Sequence, residues 1–139
     1  MKKLAKCLGW LCVICWFLLA HVLLNFLDSP PEIVRVAEDG KYSVTIKDMY
    51  PVNPIGWYWF LTTESPIYFS LYDEENKYIG QLSPFACYGH WAASYLLFPN
   101  EAKVYGDDGF MVLDDSNNGE LNISIKHKRW WSVLFGVFH

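Results

Sequence analysis

The chain has 139 residues, of which 53% are apolar, 18% aromatic and 19% charged. That length is enough for one domain, and the apolar content excludes a disordered chain because there is ample side chain to bury. The formal net charge of −4 argues against a general nucleic-acid binder. The charge is unevenly divided: the first 27 residues carry three lysines and no acidic residue, whereas residues 28–139 carry all 15 acidic residues and have a net charge of −7.

The basic start of the chain is followed by a stretch without formal charge from Leu8 to Leu27. As a helix rising about 1.5 Å per residue, this stretch would cover roughly 30 Å, the thickness of a bilayer's hydrocarbon core. Lys2, Lys3 and Lys6 precede it, so the positive-inside rule places the N-terminus in the cytoplasm. We therefore predict a cytoplasmic N-terminus over residues 1–6, a transmembrane signal-anchor helix over 7–27, a linker over 28–31 and a periplasmic β-rich domain over 32–139, attached to the bacterial inner membrane.

A cleaved signal peptide is the alternative interpretation of this segment. Such peptides also begin with lysines, but their apolar region is usually about 7–15 residues long and ends at a small-x-small site. Ala20 has Leu18 two places before it, and no pair of small residues precedes Asp28. The sequence therefore favours an anchor that is retained.

Two polar residues lie in the second half of the predicted span. His21 and Asn25 are four positions apart, so they share one helix face. Polar groups inside a membrane often mark a contact with another helix, which makes this pair a candidate intramembrane contact. The alternative is that Asn25 reaches the interface and a neutral His21 is tolerated.

Beyond the span, apolar and polar residues alternate with the period of two that is typical of half-buried strands. About seven short strands with frequent turns predict an all-β domain, a small antiparallel β-sandwich or barrel. The predicted strands are Glu32–Ala37, Lys41–Lys47, Trp57–Thr63, Ile67–Tyr72, Lys77–Leu82, Glu101–Tyr105, Phe110–Leu113 and a last one through Leu121, Ile123 and Ile125, with a loop at Met49–Gly56.

The residues that carry enzyme chemistry form no persuasive constellation. Cys87 and His90 are the one place where a nucleophile and a base adjoin, and a buried cysteine beside a loop histidine explains them better. A zinc site would need His127 or His139 as well, without a paired ligand spacing to support it. Asp114–Gly119 imitates the start of a calcium loop, but Ile125 stands where the loop needs a glutamate. We predict no catalytic residues, no metal, no cofactor and no small-molecule substrate.

Two aromatic segments, Met49–Phe60 and Ser83–Pro99, are rich in tyrosine and tryptophan and are interrupted by proline and glycine. Such composition is typical of protein-binding surfaces, because these rings offer large contact areas at low entropic cost. A contribution to the core is the alternative for part of the rings. The candidate partner-binding residues are Tyr50, Trp57, Trp59, Tyr88 and Trp91.

The C-terminal segment joins a basic cluster to an apolar run, Trp130–Phe138. Basic residues leading into aromatic ones suit a membrane interface, and the candidates for that contact are Lys128, Arg129, Trp130 and Trp131. The favoured alternative is a closing strand packed into the sandwich.

With its lysine-rich start at Met1–Lys6 and the span Leu8–Leu27, the chain resembles in architecture the small single-pass envelope proteins of enteric bacteria. The resemblance implies one uncleaved helix and a β-rich periplasmic domain, and some of these proteins are immunity proteins against toxins delivered between cells. The leading hypothesis is a non-catalytic domain that binds a protein partner. The alternatives are an assembly subunit that acts through the helix face at His21 and Asn25, and a thiol enzyme that uses Cys87.

Overall fold

The computed structural model describes residues 1–23, 33–101, 109–114, 116 and 118–139. Helix α1 (Lys2–Leu23) opens the chain and is long and apolar enough to be a membrane span or a signal sequence. Its side chains are exposed as far as Phe17, whereas Leu19, His21 and Val22 are buried against the rest of the protein. The predicted linker over 28–31, Asn25 and the end of the span at Leu27 lie outside the described residues.

The first sheet has five antiparallel strands in the order β1-β2-β3-β4, and β5 also pairs with β3. The predicted alternation in β2 is confirmed, since Val44 and Ile46 are fully buried. The hairpin predicted between β3 and β4 is confirmed too, and Asp73 Oδ1 holds its turn by accepting hydrogen bonds from the backbone N–H groups of Glu75 (3.0 Å) and Lys77 (2.8 Å). The strands are β1 (Ile33–Val36), β2 (Tyr42–Asp48), β3 (Pro66–Asp73), β4 (Tyr78–Gln81) and β5 (Tyr88–Gly89).

The second sheet has three antiparallel strands in the order β6-β7-β8, with β6 at Leu96–Leu97, β7 at Gly109–Leu113 and β8 at Gly119–Ser124. Asp114 starts the turn between β7 and β8, and its Oδ1 accepts from the backbone N–H groups of Ser116 (2.9 Å) and Asn118 (2.8 Å). Most of the strand predicted at Glu101–Tyr105 lies outside the described residues.

The two sheets share one hydrophobic core. Phe69 of β3 and Phe110 of β7 meet with ring centroids 5.7 Å apart, and Phe98 contacts Phe110 at the same distance. Leu19 and Val22 of α1 belong to this core, which also contains Ile67, Leu71, Ile123 and Phe135. The end of α1 is therefore packed as part of the domain.

The strand predicted at Trp57–Thr63 is wrong, because helix α2 occupies Pro54–Thr62 and begins inside the predicted loop. Asn53 caps this helix by accepting a hydrogen bond from Gly56 N at 2.7 Å, and Pro54 stands at its first position, where a missing N–H costs nothing. The domain is consequently not all-β. The described strands form two antiparallel sheets and no closed barrel.

The closing strand favoured for the C-terminal segment is also wrong. Residues Trp130–Phe135 form helix α3, and a short 3₁₀ helix, Gly136–Phe138, follows it. Trp131 Nε1 and Ser132 Oγ donate to the carbonyl oxygen of Gln81 at 3.2 and 3.3 Å, and Ser132 Oγ also accepts from the Gln81 N–H at 3.2 Å. Side chains of a helix thus cover β4, which lies at the edge of its sheet.

Candidate functional site

Helices α1 and α2 are joined by a buried polar cluster, which we call the His21–Asn53 clasp. His21 is 0% exposed and Asn53 is 1% exposed. His21 Nε2 lies 2.8 Å from the carbonyl oxygen of Pro84, and His21 Nδ1 lies 3.0 Å from Asn53 Nδ2. Because a carbonyl oxygen only accepts, Nε2 carries the proton, and Nδ1 of the neutral ring accepts from the Asn53 amide.

Asn53 connects the two helices through both ends of its amide. Its Oδ1 caps α2 at Gly56 N, while its Nδ2 donates toward the carbonyl oxygens of Trp16 (3.0 Å) and Phe17 (2.9 Å) in α1. The buried polar groups of both side chains are therefore satisfied within the chain. The ring nitrogens of His21 are thus both engaged by its own chain.

The contact between the helices is close because Gly56 has no side chain. A Cβ at this position would lie 2.7 Å from the carbonyl oxygen of Tyr50 and 3.0 Å from both Asn53 Oδ1 and His21 Cβ. Alanine does not fit there without movement of backbone. Glycine at this point of α2 is what allows it to lie against α1.

The other side of α2 is apolar and exposed. Trp57, Tyr58, Phe60 and Leu61 are 51%, 57%, 51% and 75% exposed. Trp59 is half-buried and packs against the core, so it belongs to the inner side. We call the four exposed residues the α2 apolar face.

A separate groove of about 260 Å³ lies between β5, the following 3₁₀ helix His90–Ser94 and the β7–β8 turn. Its aromatic side is formed by Tyr88 and by Trp91, which is 49% exposed. Trp91 contacts Tyr88 and Tyr95 with centroid distances of 6.5 and 6.1 Å. The rest of the lining comes from β7, β8 and their turn: Val112, Leu113, Asp114, Asn118, Gly119 and Glu120.

The groove is rigidly built and acidic. The Tyr88 hydroxyl accepts from Asn122 Nδ2 at 2.7 Å, and Asn122 Oδ1 accepts from the Val112 N–H at 2.7 Å, so β5 and β8 are tied together. Burial raises the pKa of Tyr88, and the nearby Glu120 carboxylate raises it further, so the phenol is neutral. Asp114 and Glu120 are exposed at the rim. We call this feature the Trp91 groove.

The basic C-terminal residues lie on a third surface. Lys128 and Arg129 are exposed before α3, Trp130 is 54% exposed, and Trp131 is half-buried with its indole N–H on Gln81. This surface is connected to α1 through Gln81, whose Nε2 donates to the carbonyl oxygen of Val22 at 3.5 Å.

Cys87 has the environment of a buried thiol rather than of a nucleophile. Burial raises its pKa to about 11, and its Sγ donates to the Tyr88 carbonyl oxygen at 3.8 Å. Little of it is thiolate at neutral pH. Among the described residues, no group of three or more His, Cys, Asp or Glu side chains is arranged to hold a metal ion.

The structure divides the five aromatic residues proposed for partner binding. Tyr50 and Trp57 are exposed and Trp59 is half-buried, whereas Tyr88 and Trp91 meet in the groove. Sequence reasoning missed Asn53 and Pro84 as the partners of His21. The Asn53–Pro54 pair was the available signal, since asparagine followed by proline is typical of a helix start.

A family model described as a family of unknown function, DUF6201, matches residues 1–135. The chain belongs to this family. The match runs through α1 and both sheets and ends at the last residue of α3. No curated protein matches the chain, and no solved structure matches it. The family assignment therefore carries no activity with it.

Proposed function

We propose that this member of the family is a single-pass protein of the bacterial inner membrane. Its periplasmic domain binds a basic segment of another protein in the Trp91 groove and performs no catalysis. The observation that carries the proposal is the composition of the groove, where the exposed Trp91 ring and the half-buried Tyr88 ring line the same cavity as two carboxylates, those of Asp114 and Glu120. Aromatic anchors with a charged rim are the usual anatomy of a protein-binding surface. An acidic rim selects a basic partner and speeds its association.

Retention of α1 is supported by its packing. A cleaved signal peptide leaves the mature protein, yet Leu19 and Val22 are core residues here. His21 is buried as well, its ring is hydrogen-bonded to Pro84, and the Val22 carbonyl oxygen accepts from Gln81. Removing α1 would leave the Pro84 carbonyl oxygen and the Asn53 amide without these partners, which is costly for buried groups. The family match, which starts at residue 1, includes this helix.

Immunity to a toxin that acts in the periplasm is the most concrete form of the proposal. Residues 28–139 have a net charge of −7, which complements a basic toxin. Tethering to the membrane raises the concentration of the protector where such a toxin arrives. The alternative of an assembly subunit acting through His21 has less support, because His21 is held by Asn53 and Pro84 of its own chain.

The binding proposal is tested by photocrosslinking in intact cells. A benzophenone side chain placed at Trp91 or Tyr95 is expected to give the same discrete adduct, whereas one placed at Glu74 in the β3–β4 turn gives none. Glu120→Lys, which reverses a charge at the rim, is expected to reduce the adduct formed from position 95. Absence of an adduct from both Trp91 in the groove and Tyr95 beside it, or an equal yield with Glu120→Lys, would contradict the proposal.

The immunity form is tested by competition on a solid surface between the parent strain and a strain without this gene. The deletion strain is expected to be outcompeted and to be rescued by the wild-type chain. Trp91→Ala is expected to fail in rescue, whereas Trp130→Ala, which truncates an equally exposed tryptophan elsewhere, is expected to rescue. Equal fitness of the deletion strain in contact with its parent would count against immunity. The binding proposal would then be decided by the crosslinking experiment.

A further inference from the structure

We propose that α2 is a second membrane segment, which does not span the bilayer but lies beside α1 in its far leaflet with the α2 apolar face toward lipid. The inference rests on one part of the proposed function, the retention of α1 as a span, and is independent of the Trp91 groove. It assigns a lipid bilayer as the partner of a surface that would otherwise expose four large apolar side chains to water.

The first argument is continuity with the exposed surface of α1. Asn53 Nδ2 bonds the carbonyl oxygens of Trp16 and Phe17, so the start of α2 is level with these residues. Trp16 and Phe17 are themselves 51% and 44% exposed. If α1 is in lipid at this level, the α2 apolar face beside it meets the same environment.

The second argument is depth. Trp16 and His21 lie about 15 and 22 Å beyond Lys6 along the axis of α1. With Lys6 at the near interface, the hydrocarbon core extends over about 30 Å. The Val22 carbonyl oxygen, one residue past His21, already bonds Gln81 of β4. The far boundary of the hydrocarbon therefore lies near the clasp, and α2, which the clasp holds, lies at that boundary.

The third argument is that α2 meets the requirements of a segment in lipid. The stretch from Met49 to Thr63 contains no charged residue, and tryptophan and tyrosine are enriched at membrane boundaries. A segment in lipid must satisfy its own backbone polar groups. Asn53 caps the first turn, and the Thr63 N–H donates to the Trp59 carbonyl oxygen at 2.9 Å at the end.

The clasp also explains how a histidine and an asparagine are accommodated at this depth. Both side chains are at most 1% exposed, because α1, α2 and Pro84 enclose them. A polar pair that is fully hydrogen-bonded and shielded by protein avoids the cost of unpaired polar groups in hydrocarbon.

The experiment uses nitroxide labels on the full-length chain, reconstituted in vesicles of phosphatidylethanolamine and phosphatidylglycerol. The four cysteines are first replaced by alanine, and single cysteines are then introduced as Leu61→Cys, Val13→Cys or Glu74→Cys. Position 61 tests the α2 apolar face, and position 13 reports on α1. Position 74 is the control far from α2, because it lies in the polar turn after β3. The other end of β3, at Pro66, is the end near α2, since the Pro66 carbonyl oxygen accepts from Met49 N. Collision with oxygen, which dissolves in lipid, is compared with collision with a water-soluble nickel chelate.

We expect the label at 61 to collide preferentially with oxygen, as the label at 13 does, and the label at 74 to collide preferentially with nickel. Nickel accessibility at 61 equal to that at 74, with 13 still in lipid, would overturn the α2 proposal alone. Nickel accessibility at 13 would instead overturn the anchor on which it rests. Trp57→Cys, on the same face, provides a second test site if the Leu61 variant fails to fold.

Two other occupants of the α2 apolar face give distinct results. A second copy of the chain would broaden the spectrum at position 61 through spin–spin interaction, and dilution with unlabelled protein would remove the broadening. If the face instead binds a soluble protein, it would be exposed to water in vesicles that contain only this chain, and the label at position 61 would collide with nickel. Either result would overturn the assignment to lipid.

Discussion

At the scale of single residues, Asn53 combines several structural roles. Its amide oxygen caps α2, and the two hydrogens of its amide nitrogen are shared among two carbonyl oxygens of α1 and the buried His21 ring. The sequence identified His21 as unusual because a polar residue stood in an apolar run. It did not indicate Asn53, because the two residues are 32 positions apart and only the folded chain brings them together.

Asn53→Ala is expected to lower the free energy of unfolding by about 2–4 kcal/mol, since it removes a helix cap and leaves buried His21 Nδ1 without its donor. The measurement is urea unfolding of the full-length chain in detergent micelles. Asn118→Ala is the control, because Asn118 is exposed and contributes backbone atoms to the β7–β8 turn. Similar losses in the two variants would contradict a special role for the clasp.

Cys87 offers a test of the thiol-enzyme hypothesis by pH. Because burial raises its pKa to about 11, the thiolate population stays small below pH 10. With Cys7, Cys12 and Cys15 replaced by alanine, the rate of alkylation by iodoacetamide is expected to keep rising through pH 10. A rate that levels off near pH 8 would reveal an activated thiol and would reopen the enzymatic interpretation.

At the scale of elements, the longer strands were predictable, whereas the short helices and the two-residue strands β5 and β6 were not. β2 follows from local alternation, whereas β3, β4 and β8 follow from their places beside the turns closed by Asp73 and Asp114. The segment of α2 has aromatic residues on every side, so neither period stands out. Its conformation is decided by the cap at Asn53 and by contact with α1, of which the second is not local.

Gly56→Ala is expected to separate α2 from α1, because the added Cβ meets the backbone of Tyr50 and the side chains of Asn53 and His21. The free energy of unfolding should fall by about 1–3 kcal/mol, as in other overpacked sites. Hydrogen exchange of the Gly56 and Trp57 amides should accelerate. Gly9→Ala is the matched control, since a Cβ there has nothing within 4 Å. An equally small effect of both substitutions would show that the close approach is unimportant.

At the scale of the whole molecule, α1 has two parts with different surroundings. Side chains up to Phe17 are exposed, whereas Leu19 and Val22 pack in the core shared by both sheets and His21 is buried in the clasp. The helix is thus both a candidate span and a structural part of the domain. A chain without it would lose core residues as well as the candidate span.

Because the two parts of α1 have different surroundings, we expect different outcomes when each part is replaced by another sequence. Replacing residues 1–23 by a cleavable signal sequence should give an exported domain that is degraded rapidly by added protease, because the core at Val22 and the clasp are lost. Replacing the apolar residues between Lys6 and Trp16 by leucines should leave the domain as resistant as the wild type. Equal resistance of the first variant would show that α1 is not needed for folding.

Retention and orientation of α1 are tested on the unsubstituted chain. Membrane fractions are expected to contain the full 16.2 kDa chain, and alkaline phosphatase fused to His139 is expected to be active in the periplasm. A mature protein that lacks the first two dozen residues, or an inactive fusion, would contradict the anchor and its orientation.

Sequence alone determined what depends on near neighbours: an apolar stretch of membrane length, the alternation of strands and the aspartate-closed turns. Those features arise from backbone geometry and side-chain period within a few residues. Tertiary structure decided the helical state of α2 and α3, the partners of His21 and the meeting of Tyr88 and Trp91 with Asp114 and Glu120. These depend on residues far apart in the chain, whose contacts form only when both sheets and α1 share one core.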